Sequence, residues 1–374
     1  MSTQSSQVRP QHSHPAQRLV VAVTGAAAGV GRMLVERLLS DEGSDRVTTV
    51  VAIDDHRGET VGPDWRLTDV CDPRLAAELA GVDVLVHADD DRSPETQPRE
   101  RRARNIRAVQ TVLTAAAAQR VPRVVLITST MVYGAAPDNP VPLPEDSAMV
   151  GEAGASLVGD FVEIEELAAL ARRAHPGLSV TVVRPAPLVG PGMDTLLSRH
   201  FSAPRLLAVK GCAQSWQFCH VDDLVSALDF VVHNKGEDSE DSLAVGCDGS
   251  LSQEEAQGIA QLRGFELPAN LAFGAVQRLH RAGITPSPVS ELKFLVYPCV
   301  VDCAGLREAG WRPAYDNSEV LRALLDHRSG RPALVGRTLG RKEVTITAAS
   351  AAGAAVAAIG TAVAAHHIRK RRKG

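Results

Sequence analysis

Leu19-Val20-Val21-Ala22-Val23-Thr24-Gly25-Ala26-Ala27-Ala28-Gly29-Val30-Gly31 joins an apolar run to a glycine loop, and the amphipathic stretch Gly31 to Leu39 follows directly. A strand that turns through glycines into a helix brings backbone N–H groups up to a phosphate. The helix N-terminus adds positive potential without a side-chain charge. With a strand before it and a helix after it, the loop reads as a dinucleotide site built on Gly25, Gly29 and Gly31, with Ala28 and Val30 in the same turn.

Outward from this loop, short apolar runs alternate with helix-like stretches. Val47 to Ile53, Val82 to His87, Val124 to Thr128 and Ser179 to Val183 read as strands; Arg102 to Gln119 and Asp160 to Arg173 read as helices. Strands separated by helices at this spacing predict βαβ units. The fold class is therefore α/β, a Rossmann-type doubly wound parallel sheet. After Arg184 the pattern loosens into Pro- and Gly-containing segments with shorter helices, which predicts a small C-terminal substrate lobe, mainly from about residue 185 on.

The second predicted strand ends in Ala52-Ile53-Asp54-Asp55, 23 residues beyond Gly31, where the Asp54 carboxylate can accept from both ribose hydroxyls of NAD. Arg57 lies close enough to pair with a 2′-phosphate, so NADP stays open.

Further stretches give a resemblance. Thr68-Asp69-Val70-Cys71-Asp72, Arg102-Ala103-Arg104-Asn105, Ser129-Thr130-Met131-Val132-Tyr133-Gly134, Arg184-Pro185 with Val189-Gly190-Pro191-Gly192, and His220-Val221-Asp222-Asp223 are similar to motifs of the extended short-chain dehydrogenase/reductase family. Within it they resemble the NAD-dependent epimerase/dehydratase group that includes UDP-galactose 4-epimerase, over roughly residues 19 to 325. Ala28 stands where extended members normally have Gly. The resemblance implies NAD contacts from Asp69 and Val70, from His87 and Ala88, from Asn105 and from Pro185. It also implies a nucleotide-sugar-like substrate and a homodimer. Asp69 can equally cap the next helix, and His220 with Asp222 can stabilise a turn.

The chemistry that the resemblance implies is incomplete here. In that family a tyrosine phenol, its pKa lowered by a nearby lysine and the nicotinamide charge, exchanges the substrate hydroxyl proton while hydride moves to or from the cofactor; a Ser or Thr assists. Ser129 is the matching hydroxyl, but Leu157 falls at the tyrosine position and Phe161 at the lysine position. Nowhere does a Tyr precede a Lys by four residues, and no Lys occurs before Lys210. A substitute acid or base would be a carboxylate such as Asp160 or Glu163, or a histidine. Helical spacing predicts a solvated face for Glu163, Glu165 and Glu166. Asp89, Asp90 and Asp91 oppose a pyrophosphate unless they point outward or pair with Arg99, Arg101, Arg102 or Arg104.

The expected ordinary redox chemistry is thus weak or absent, with a cofactor sensor or scaffold as the leading role. The alternative is an active oxidoreductase or epimerase that uses Ser129 and a non-standard acid or base.

Composition sets the remaining bounds. Residues 1–17 read as a polar disordered arm, 18–327 as the folded body, 328–343 as a basic linker, 344–365 as an uncharged C-terminal apolar helix and 366–374 as a basic tail. From Arg328 onward there are ten Lys and Arg against one acid, in a chain of net charge −4, so the body is acidic. As a helix, 344–365 would be about 33 Å long, enough to cross a bilayer core or to lie on membrane lipid beside Arg369 to Lys373. A soluble partner-bound helix is the third option. The six scattered cysteines form no C-x-x-C pair, which suits a reducing cytoplasm, buried thiols and no metal site. The acidic body without interleaved aromatic and basic residues argues against nucleic acid.

Overall fold

The structure, a computed structural model, describes residues 18–40, 47–93, 96–151, 154–191, 193–203, 205–234, 241–281 and 289–329. The expected N-terminal arm and the segments 330–343, 344–365 and 366–374 lie outside the described residues. Among the described residues no helix is long and apolar enough to cross a membrane.

Along the chain the strands are β1 (Leu19–Thr24), β2 (Val47–Asp54), β3 (Asp64–Leu67), β4 (Val84–His87), β5 (Arg123–Ile127), β6 (Ser179–Pro185), β7 (Leu188–Val189), β8 (Arg205–Val209), β9 (Ser215–Trp216), β10 (Cys219–His220), β11 (Ser242–Val245), β12 (Leu251–Ser252) and β13 (Arg263–Leu267). The helices are α1 (Gly29–Leu39), α2 (Leu75–Glu78), α3 (Pro98–Gln119), α4 (Leu157–Ala174), α5 (Leu196–His200), α6 (Val221–His233), α7 (Gln253–Ala260), α8 (Ala269–Arg281), α9 (Val289–Val296), α10 (Ala304–Glu308) and α11 (Asn317–Ser329).

Seven strands form one parallel sheet in the order β11-β6-β5-β4-β1-β2-β3. Burial on both faces explains why its strands read as continuous apolar runs. Along β1, Ala22 packs with the α3 and α4 side, while Val21 and Val23 pack with α1 and α6. The two-residue alternation thus serves two helical layers. Helix α1 turns Leu34, Val35 and Leu38 into the second layer, and α3 starts with proline at its first turn, where a missing N–H costs nothing.

The chain runs from β1 outward to β3, then returns to β4 and proceeds the other way. Strand order reverses between β1 and β4, and the crevice outside their C-terminal ends is where an open α/β sheet takes a ligand. The short edge strand β3 and the edge strand β11 were not anticipated from the sequence. Helix α6 packs on α1 and β11 pairs with β6, so the chain after residue 185 contributes to this layer as well as to the lobe.

The lobe has its own core, with Phe201, Leu206, Trp216, Phe218, Val320 and Leu321 nearly or fully enclosed. Pairs β8–β13, β7–β10 and β9–β12 frame it. His200 lies in this core at 0% exposure, stacked on Trp216 at 5.6 Å between ring centroids and edge-on to Phe201. Neither ring nitrogen meets a hydrogen-bond partner.

Candidate functional site

The glycine loop is shaped by two steric requirements. Gly25 has φ +68°, and a Cβ there would sit 2.9 Å from the Ala88 carbonyl oxygen and from Asp89 Cα. Gly31 lies so close to the loop's own backbone that a Cβ would fall 2.1 Å from the Gly25 carbonyl oxygen. Helix α1 starts after Ala28, which is in extended conformation and offers no side-chain hydrogen bond as a cap. Its first-turn N–H groups are therefore available to an anion rather than consumed by a Ser or Asp cap.

At the end of β2, one Asp54 oxygen accepts the Ala27 N–H at 2.9 Å, which ties the carboxylate to the glycine loop, and the other accepts the Asp55 N–H. Burial, chiefly, raises the Asp54 pKa above the ordinary carboxylate value. Beside it, His56 Nδ1 bonds Asp55 at 2.5 Å and lies 3.3 Å from Asp54. That hydrogen bond raises the pKa of the exposed imidazole.

One cavity of about 780 Å³ collects Gly25, Ala28, Gly29 and Val30 from the loop, Asp54 and Asp69 from the β2–β3 side, and Ala88 after β4. It continues without a break past Ile127, Ser129, Leu157 and Phe161, and is closed from the lobe side by Met193 to Leu197 and by Glu291, Phe294 and Leu295 of α9. Such a volume is in the range of small-molecule sites, roughly 300–1,000 Å³.

The other sequence-selected residues stand behind the cavity wall. Gly31 packs under the loop. Val70 is buried, and Asp69 accepts the Cys71 N–H at 2.8 Å. His87 is enclosed, its Nδ1 2.8 Å from Thr24 Oγ1, which joins the ends of β4 and β1. Asn105 reaches back from α3 to bond both the N–H and the carbonyl of Asp91, bracing the loop after β4. The Pro185 carbonyl accepts the Ser129 hydroxyl at 3.3 Å, while Ser129 Oγ accepts the Met131 N–H. Tyr133 is buried, donates to the Glu145 carbonyl, and has its pKa pushed up to about 12, mainly by burial. His220 accepts the Asp222 N–H at the start of α6, the turn role foreseen for that pair.

The acidic triplet is neutralised in part as expected. Asp89 pairs with Arg104 at 2.9 Å, Asp90 with Arg92, and Asp91 accepts the Ser93 N–H. One sequence expectation is overturned on α4. Glu165 does not lie on a solvated face: it is 4% exposed and bonds Arg184 at 2.9 and 3.1 Å and Thr128 at 2.8 Å. Position 165 follows buried Phe161 by four residues and precedes buried Ala168 by three, so helical periodicity puts it on the inward face. Glu163 is partly buried beside Arg102, and Glu166 is exposed.

Asp160, considered above as a substitute base, is fully enclosed and paired with Arg101 at 2.9 Å, and neither it nor Glu163 borders the cavity. Two residues that sequence reasoning missed do border it. Glu291, buried on α9, accepts the Leu157 N–H at 2.9 Å, and Arg92 lies over Phe161. Of the cysteines, Cys219, Cys247 and Cys303 are buried thiols, while Cys71, Cys212 and Cys299 are partly exposed.

Two enclosed histidines make the protein acid-sensitive. Burial holds both His87 and His200 at a pKa of about 4, below the ordinary 6.5. Above pH 6.5 both states are neutral at these positions and nothing is gained or lost. Below it the unfolded chain takes up protons that the folded chain refuses, so stability falls between pH 6.5 and about 4. Urea midpoints measured across that interval should decline, and the decline should be shallower in His200→Leu, which also removes two unsatisfied ring nitrogens. An unchanged slope in the variant would exclude His200 as a source.

A doubly wound parallel sheet with an uncapped, glycine-lined helix start at its switch point and an acid closing the next strand defines a Rossmann-type dinucleotide-binding protein. The chain belongs to the NAD-dependent epimerase/dehydratase family, whose model matches residues 21–246. A protein of Mycobacterium tuberculosis strain H37Rv, described as uncharacterized, is 29% identical over 332 residues, 85% of each chain. Among solved structures, MoeE5 with UDP-glucuronic acid and NAD is 23% identical, with a TM-score of 0.61 over 83% of this chain and 98% of that one. The dTDP-glucose 4,6-dehydratase DesIV of Streptomyces venezuelae, with NAD and TYD bound, is 20% identical, with a TM-score of 0.62 over 84% and 98%. At these identities the two structures establish a shared fold.

Proposed function

We propose that this protein is an NAD-binding epimerase/dehydratase relative that holds the dinucleotide but has lost the family's ordinary proton relay, and that it acts as a cofactor-responsive sensor or scaffold. The observation that carries this reading is the pair of apolar side chains, Leu157 and Phe161, that α4 presents to the cavity at the tyrosine and lysine positions. The cradle fits the cofactor: Gly25 and Gly31 leave no room for a side chain, α1 is uncapped, and Asp54 closes the adenosine end. NAD bound there would supply a hydride acceptor. Among the described residues, the lining of this cavity has no phenol with an ammonium beside it to take a hydroxyl proton. Ser129 is held by Pro185 and Met131 and has no base listening to its hydroxyl among the described contacts.

Similarity to MoeE5 and DesIV supports a nucleotide sugar as second ligand of the same cavity, since those proteins were solved with NAD and with sugar-nucleotide or nucleotide ligands. A catalytic reading is favoured by one observation, the Glu291 carboxylate inside the cavity beside Leu157. The test is turnover of UDP-glucose and dTDP-glucose with NAD, followed by absorbance of reduced cofactor and by NMR of the sugar. No turnover is expected. Turnover that disappears in both Ser129→Ala and Glu291→Gln would replace the sensor reading with an enzyme using a recruited carboxylate.

A further inference from the structure

Arg92 belongs to the loop after β4, the strand beside β1 at the switch point. Its guanidinium carbon sits 5.0 Å above the centroid of the Phe161 ring. Nε pairs with Asp90, and Nη2 donates to the Ile127 carbonyl at 3.3 Å. Nη1 has no hydrogen bond among the described residues. The side chain is 23% exposed and borders the cavity together with Phe161, Ile127 and Ser129.

The two ends of the cavity are chemically distinct. Asp54 lies at the end of β2, on one side of the glycine loop; Ile127, Ser129 and Phe161 lie across β4, on the other. A dinucleotide whose pyrophosphate rests on the loop and whose adenosine ribose meets Asp54 must run its second nucleoside toward Phe161. This is where the chain lacks a lysine and where Arg92 places a cation on an aromatic ring.

We propose that Arg92, shelved on Phe161, is the cofactor-positioning cation of this site and binds the nicotinamide-ribose half of NAD through Nη1. The assignment rests on the NAD-binding reading above. A guanidinium keeps its proton throughout the physiological range, so it can donate hydrogen bonds to ribose or phosphate oxygens without entering proton transfer. Phe161 is then a support rather than a plain loss: a cation over an aromatic face is held by the ring quadrupole, and the flat guanidinium suits that contact better than an ammonium. Substituting an arginine on a neighbouring loop for a lysine on α4 preserves cofactor grip and discards the group that would tune a phenol.

Calorimetric titration of the intact protein with NAD and, separately, with ADP, which lacks the second nucleoside, tests this. Arg92→Met is expected to weaken NAD about tenfold or more, the scale of one charge-assisted hydrogen bond, and to leave ADP unchanged. Arg92→Lys should recover part of the loss, and Phe161→Leu should give an intermediate loss. Equal NAD affinity in Arg92→Met and the unaltered protein would overturn the role of Arg92 while leaving cofactor binding intact. Parallel loss of NAD and ADP would also overturn it, by showing that Arg92 acts through the loop as a whole. Failure of the unaltered protein to bind NAD would overturn the underlying reading itself.

Discussion

Gly29→Asp is expected to leave the protein folded and to remove NAD binding. Gly29 has φ +55°, and a Cβ built there meets nothing within 4 Å, so the side chain has room. Aspartate is among the residues that visit this backbone region, at a cost of about 1 kcal/mol. The new carboxylate would stand at the first turn of α1, where a pyrophosphate is expected to take the free N–H groups. Unit charges about 4 Å apart at an effective dielectric of roughly 20 repel by about 4 kcal/mol. A loss of about 100- to 1,000-fold in affinity follows. Gly31→Ala is a poorer probe, because its Cβ would collide with the Gly25 carbonyl and move the loop. A melting temperature close to that of the unaltered protein, with NAD binding gone, is the expected pair of results; retained binding would show that the ligand does not rest on this helix start.

Arg184→Met is expected to destabilise the fold by about 3–5 kcal/mol, the usual cost of stranding one member of a buried ion pair. Arg184 is 8% exposed and joins Glu165 of α4, the Tyr133 hydroxyl at 2.8 Å and, through Glu165, Thr128 at the end of β5. Its guanidinium also lies 5.0 Å over the Tyr133 ring. With the arginine gone, Glu165 keeps only the Thr128 hydroxyl among these partners, at 4% exposure. The double variant Arg184→Met, Glu165→Leu removes the stranded charge and should regain most of the stability, since apolar replacements of buried pairs are often neutral. Urea unfolding of the three proteins measures this. A single variant within 1 kcal/mol of the unaltered protein would mean that Glu165 finds water or another partner.

What the sequence disclosed was what local pattern can encode. The run Leu19 to Val23, the glycines and Asp54 lie within 36 residues, and each carries its own signal: apolarity, backbone freedom, a terminal acid. The positions of Leu157 and Phe161 were legible by continuing a motif along one helix. Glu165 reads as solvated by residue type, beside Glu163 and Glu166, although its spacing of four from Phe161 puts it on the inward face, and its partner arrives from β6 by tertiary folding. Arg92 was overlooked for a related reason: its meaning depends on a ring 69 positions away. Glu291 bonds Leu157 across 134 residues, from a helix in the lobe whose sequence shows no motif. Edge strands β3 and β11 are short and, being bordered on one side only, lack the long apolar run that marks the central strands.

Calorimetric titration of the intact protein with NAD and NADP, with Gly29→Asp alongside, tests the central claim most directly. Saturable binding of NAD, weaker binding of NADP because Asp54 meets the extra phosphate, and no binding by the variant are the results predicted. Absence of binding at millimolar NAD, or equal binding by Gly29→Asp, would contradict a cofactor held on the glycine loop.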